Sequence, residues 1–173
     1  MSQTIDFSQL SLRDTLDLAI SVEEEAKERY DDFAEQMDAH RTPDVANFFR
    51  FMADNEIKHA ERLAAKRQDL FDDEPSTADT SILYDIEAPD FDGARAFMSM
   101  RAALDVAMES EVKAYEFYHE ALAEVSDTEV KELFVELRDE EAHHQDLIKK
   151  IIAKMPEDDG FEPDDFVDAP AAQ

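Results

Sequence analysis

The 173-residue chain has no cysteine, only 2 glycines and only 6 prolines. Without cysteine there is no disulfide framework, no thiolate metal site and no iron–sulfur cluster, so any bound metal must be held by Glu, Asp or His. The scarcity of helix breakers and of strand-type runs favours an all-α fold. No apolar run reaches the length of a membrane span. The stretch Met1 to Leu10 lacks the basic and apolar regions of a signal peptide, so the expected location is cytoplasmic, with no membrane partner. Basic residues are few as well: 17 Lys and Arg stand against 45 Asp and Glu, for a net charge of -28. That balance argues against nucleic acid and anionic membrane surfaces as partners. It fits either a salt-adapted, hydrated surface or acids concentrated in a loop and a tail. Hydrophobic residues still make up 43% of the chain, enough for one core in one domain.

Four amphipathic stretches account for that core. Helix A is expected from Ser11 to Met37, with Ser11 and Asp14 as a capping box and a stripe of Leu12, Leu16, Ala19, Ala26, Tyr30, Phe33 and Met37. Helix B begins at Thr42-Pro43, an N-cap followed by proline at the first helical position, and ends near Leu70. Residues Phe71 to Asp92, acidic and containing Pro75 and Pro89, read as a long crossover with a short ordered piece at Ile82 to Ile86. Helix C is expected from Gly93 to Val125. Helix D follows, opened by a Ser126/Glu129 capping box and ending near Met155. Two hairpins, 11–70 and 93–155, joined by one long connection form a four-helix bundle over residues 1–155. Residues 156–173 read as an acidic, disordered tail.

The hairpins repeat one another. A shift of 88 residues pairs Leu16 with Leu104, Glu23 with Glu111, Ala26 with Ala114 and Tyr30 with Tyr118. A shift of 85 pairs Phe49 with Phe134, Asp54 with Asp139, Glu56 with Glu141 and His59 with His144. Equivalent side chains are therefore expected around a pseudo-two-fold axis.

The repeat also places acids where a core should be apolar. Glu23 lies seven residues after Leu16 and seven before Tyr30, nearly two whole turns each way, and Glu111 has the same phase between Leu104 and Tyr118. Glu56 follows Phe49 and Met52, Glu141 follows Phe134 and Leu137, and each has a histidine three residues on, His59 and His144, on the same face. Four uncompensated carboxylates in one core would repel, and some would take up protons. Two divalent cations would balance them, and mixed carboxylate and imidazole donors suit iron, manganese or zinc. One Glu from each of two helices plus Glu-x-x-His from each of the other two is the arrangement of ferritin-like carboxylate bundles. Tyr30 and Tyr118 share the stripe and are candidate hydrogen-bond donors to the ligands across the bundle. Glu116/His119 and Glu140/His143 have the same spacing but lie off the stripe and read as solvated surface, as do Asp54 and Asp139. His40 reads as a loop residue. The plain alternative is a bundle whose inward acids find Lys, Arg or each other.

The run Val22 to Tyr30 with Glu56-Ile-Lys-His59, repeated as Glu111 to Tyr118 with Glu141-Ala-His-His144, resembles the rubrerythrin branch of the ferritin-like superfamily over about residues 10–155. The resemblance implies a site of two iron ions, with manganese or zinc compatible, and oxygen or peroxide chemistry of ferroxidase or peroxidase type. It also implies a homodimer. The family's ligands fall on Glu23, Glu56, His59, Glu111, Glu141 and His144, and its supporting tyrosines on Tyr30 and Tyr118. Two departures stand out. This chain has no Cys-rich rubredoxin module, which points to a separate electron-donor protein. It also has Lys113 and Ala114 where the family carries a further glutamate one turn past the helix-C ligand. The symmetric six-ligand set resembles ferritin and bacterioferritin ferroxidase centres too, although the tail does not look like a ferritin fifth helix. Iron storage in a ferritin-like assembly and a non-enzymatic helical interaction module are the alternative functions.

Overall fold

The computed structural model describes residues 7–77 and 86–155. A single 3-10 turn, Phe7–Gln9, precedes α1 (Leu12–Ala39), α2 (Pro43–Phe71), α3 (Met100–Ala121) and α4 (Thr128–Ile152). The fold is an all-α, ferritin-like four-helix bundle. Backbones approach closely within each hairpin, α1 on α2 and α3 on α4, and much less between hairpins. The hairpins therefore meet through long side chains, which leaves room for polar groups between them.

Local chemistry sets the helix ends. The Ser11 hydroxyl accepts from Asp14 N at 3.1 Å and donates to the Asp14 carboxylate at 2.6 Å, so the expected cap forms through the hydroxyl. At Thr42 the hydroxyl instead turns back to donate to Met37 O at 3.0 Å, and Pro43 opens α2 with its fixed φ. Two boundaries differ from the sequence expectation. Helix C was expected from Gly93 to Val125, but α3 starts at Met100, because Phe97 sits at φ 61° and Ser99 caps the helix by accepting from Ala102 N at 3.1 Å. Its last residue is Ala121. Asp127, not Ser126, caps α4: its carboxylate accepts from both Glu129 N and Val130 N. An ionised carboxylate holding two donors at a helix N-terminus outcompetes a neighbouring hydroxyl. α4 ends at Ile152, just short of Met155. Of the ordered piece expected at 82–86 only Ile86 lies within the described residues, and the expected tail lies outside them.

The core is built mainly from two apolar clusters with a polar layer between, beside a small patch of Leu18 and Val22. One cluster combines the C-terminal half of α1 with the N-terminal half of α2, around Tyr30, Phe33, Phe49 and Met52, and adds Leu104 and Ile148. The other combines Leu16, Leu63, Tyr118, Val130, Phe134 and Leu137 from the opposite halves. Each fully buried Leu, Phe or Met contributes on the order of 1.5–3 kcal/mol. Glu23, Glu56, Glu111 and Glu141 occupy the turn between the clusters on all four helices, and each is 0% exposed. The crossover returns to the bundle before α3 and turns at Gly93, whose amide donates to Asp90 O at 2.8 Å. A Cβ there would meet Asp90 O at 3.0 Å and Val106 Cγ1 at 3.1 Å, so the close approach of loop to helix favours glycine.

Candidate metal centre

The polar layer gathers all six residues singled out by the repeat. The Nδ1 atom of His144 lies 2.9 Å from Glu111 Oε2 and 4.0 Å from both Glu56 Oε2 and Glu141 Oε2. His59 Nδ1 lies 3.6 Å from Glu23 Oε2 and 3.9 Å from Glu56 Oε2. The two imidazoles lie parallel, 4.8 Å apart between centroids. Donor atoms converge in overlapping sets, each within 4.8 Å: Glu56 with both histidines, Glu111 with Glu141 and His144, and Glu23 with Glu56 and Glu87.

Burial in this layer penalises charge on the carboxyls. Glu23, Glu56 and Glu141 are all held well above the usual carboxylate range, first by desolvation and then by the neighbouring carboxylates. Neither oxygen of Glu23, Glu56, Glu87 or Glu141 meets a protein donor, apart from a neighbouring carboxyl that has taken up a proton. Burial also opposes protonation of His144, but the hydrogen bond and charge of Glu111 outweigh it and raise its pKa. His59 has no such bond, and burial beside His144 lowers it to about 4.

The tyrosines take up different positions. Tyr30, fully buried, donates to Glu111 Oε1 at 3.3 Å, across the bundle as its phase suggests. Tyr118 is equally buried, but its hydroxyl has no partner among the described residues. Both phenols are pushed well above the ordinary tyrosine range by burial, then by Glu111 for Tyr30 and by Glu87 for Tyr118.

Two carboxylates at the site escaped the sequence reading. Glu87, in the crossover, is 0% exposed and reaches Glu23 and Glu56. Burial, then the Glu111 charge, raises its pKa to about 7. It has no period and no counterpart in the repeat, so pattern reading had no signal to find it. Glu140 was read as solvated surface, and this is corrected. Its partner His143 is exposed, whereas Glu140 is partly buried 3.8 Å from His59 Nδ1 and is held by Arg62. Glu140 sits one residue before the ligand-phase Glu141, on a flank of α4 that meets His59 and Arg62 of α2. Its counterpart under the repeat is Asn55, so the acid exists on one side only. Glu116, His119, Asp54 and Asp139 are exposed, and His40 caps the C-terminus of α1 in the loop.

Residues 14–152 match the family model for rubrerythrin. The chain belongs to the rubrerythrin family. The family is one of di-iron carboxylate proteins, and the carboxylate and histidine clusters it requires are present here. An uncharacterised conserved protein from Magnetospirillum magnetotacticum MS-1 is 32% identical, with a TM-score of 0.65, over 86% of this chain and 98% of that one. The bacterioferritin of Rhodobacter capsulatus, solved with a metal-free dinuclear site and a haem iron, shares the fold at 22% identity. Its TM-score is 0.55 over 82% of each chain. No curated protein gives a significant match. No described helix is long and apolar enough to cross a membrane.

Proposed function

We propose that this rubrerythrin-family chain binds two metal ions, iron by preference, and links their oxidation to the reduction of oxygen or peroxide. The observation that carries the reading is the set of buried carboxylate oxygens that have no donor other than one another's protons, interleaved with two imidazoles. Such a layer is costly unless cations replace those protons. Glu56, central to the converging sets and near both histidines, would help hold the ions. Glu23 with His59 would face one ion, and Glu141 with His144 the other, and Glu111 reaches toward the second. Iron supplies one-electron redox chemistry at such a site when bound.

The chain's own residues supply the rest. The apolar clusters on either side of the layer exclude bulk water. Tyr30 fixes Glu111 through its hydroxyl proton. Neutral His59, with its pKa near 4, keeps its ring nitrogen free to ligate at physiological pH. With no cysteine in the chain, electrons for repeated turnover would come from a separate carrier protein. Purified protein given peroxide and NADH should turn over slowly until such a carrier and its reductase are added.

Anaerobic Fe(II) titration tests the reading. Two ions per chain are expected. Glu56→Ala or Glu141→Ala should lower the stoichiometry or the affinity, and full binding by the double variant would rule the site out.

A further inference from the structure

We propose that Glu87 supplies the metal pair with a carboxylate ligand from the crossover, outside the two-fold set, on the side of Glu23 and Glu56. The inference rests on the dimetal reading above and adds a ligand that the helix repeat does not contain. Glu87 is fully buried, and its oxygens, with those of Glu23 and Glu56, form a cluster within 4.8 Å. Outside that cluster neither of its oxygens meets a protein donor. A loop carboxylate with no structural partner would ordinarily turn to solvent, since burying it uncompensated costs several kcal/mol.

The backbone shows why Glu87 does not turn out. Three consecutive carbonyls are held by side chains of the bundle. Ser110 Oγ donates to Glu87 O, Lys113 Nζ donates to Ala88 O at 3.0 Å, and Arg29 Nη1 donates to Pro89 O. Arg29 is itself buried, and its guanidinium lies 3.3 Å from the centroid of the Phe91 ring. Ser110 and Arg29 are each adjacent in sequence to a site residue, Glu111 and Tyr30. The same turns of α1 and α3 that present those residues also fix the strap that carries Glu87.

A fifth carboxylate has a chemical consequence. Four carboxylates balance two divalent ions in formal charge. With Glu87 ionised the set is balanced only when one ion becomes trivalent. Glu87, on the side of Glu23 and Glu56 alone, would make the two ion positions inequivalent in charge and in ligand set.

Cobalt(II) titration of the full chain, followed by visible absorption, tests this without reference to activity. Wild-type protein should bind two Co(II). Glu87→Gln, a neutral isostere, should bind one ion as before and the other about tenfold or more weakly, a loss of about 1.4 kcal/mol. The absorption of the weakened site should change, because its ligand set changes. Glu87→Asp, which keeps the charge but shortens the reach, should also weaken that ion and guards against a folding defect in the first variant. The metal-free Glu87→Gln protein should melt no lower than metal-free wild type, whereas a purely structural Glu87 would lower it. Wild-type isotherms and spectra in both variants would overturn the role of Glu87 alone. Failure of wild type to bind Co(II), or binding unaffected by Glu56→Gln, would overturn the dimetal reading and this inference with it.

Discussion

His59 and His144 hold equivalent places in the two hairpins, yet the protein surrounds them differently. His144 has a side chain 4% exposed and is tied to Glu111 at 2.9 Å. The His59 side chain is 16% exposed, has no bond shorter than 3.6 Å to any carboxylate, and faces Glu140. A cavity of about 450 Å³ opens over it, lined by Arg62, Glu136, Asp139, Glu140 and His143, and reaches the edge of His144. The crossover strengthens the inequality by delivering Glu87 toward Glu23 and Glu56. A duplicated motif supplies like ligands to both halves. Residues that differ between the copies, such as Glu140 against Asn55, and the crossover that carries Glu87 make the two halves unlike.

The largest effect should come from removing what the halves share. Glu23, Glu56, Glu111 and Glu141 all changed to Gln should abolish the rise in melting temperature that metal gives the wild type. Ligand present at about a thousandfold its Kd adds about 4 kcal/mol per site. For a chain of this size that corresponds to a rise on the order of 10 °C. Metal-free, the four-Gln protein should melt at or above the wild type, because the repulsion goes with the charge. A metal shift that persists in this variant would mean that these glutamates are not the ligands.

Next, the histidines should part company. His144→Ala leaves a cavity and strips Glu111 of its hydrogen-bond partner, so it should cost the metal-free fold about 1–3 kcal/mol. His59→Ala, at the open side, should cost well under that, although both should weaken metal binding. Equal losses of stability in chemical denaturation would contradict the sealed-and-open comparison.

A pH series comes third. In the unfolded chain the carboxyls titrate near 4.5, whereas Glu23, Glu56 and Glu141 are raised well above that and Glu87 to about 7. Their contribution to metal-free stability is complete below about 4.5. It is lost as pH rises through the folded values, through about 7 for Glu87. His59 acts in the opposite sense: lowered from 6.5 to about 4, it contributes above 6.5 and loses that contribution as pH falls toward 4. The carboxyls outnumber it, so the metal-free protein should lose stability between about pH 5 and about pH 8. The gap to the metal-loaded protein should widen, since fewer protons then compete for the ligands. Thermal unfolding with chelator and with metal across that range measures both trends, and a gap that narrows with pH would contradict them.

The smallest effect is expected at the port. Glu140→Gln removes a partly exposed charge paired with Arg62, and its effect on stability should stay within about 0.5 kcal/mol. Stopped-flow Fe(II) uptake should slow while the final stoichiometry stays at two. A changed stoichiometry would make Glu140 a ligand rather than part of the path.

Much of this molecule was legible in one dimension because helices are periodic. The seven-residue spacing of Leu16, Glu23 and Tyr30 puts them on one stripe whatever they pack against, and the repeat carries the stripe to Leu104, Glu111 and Tyr118. Caps were legible where a single side chain competes for the helix end, as at Ser11. They were misread where two neighbours compete, as at Ser126 and Asp127, and where an unusual φ at Phe97 delays the helix. Glu140 was misplaced because phase on one helix does not tell which side chains of a facing helix, here His59 and Arg62, reach toward it.

By itself the sequence determined the four helices, their inward faces and the six duplicated donors, since each depends only on local geometry and residue type. Only the tertiary structure decided that Glu87 is buried. That depends on the route of a non-periodic loop, which is fixed by bonds from Arg29, Ser110 and Lys113 that are far from it in sequence or silent in any pattern. The tertiary structure likewise decided that His59 is more exposed at the opening than His144. Equivalent residues in a repeat become inequivalent where neighbours that the repeat does not match, Glu140 and Glu87 here, stand on one side only.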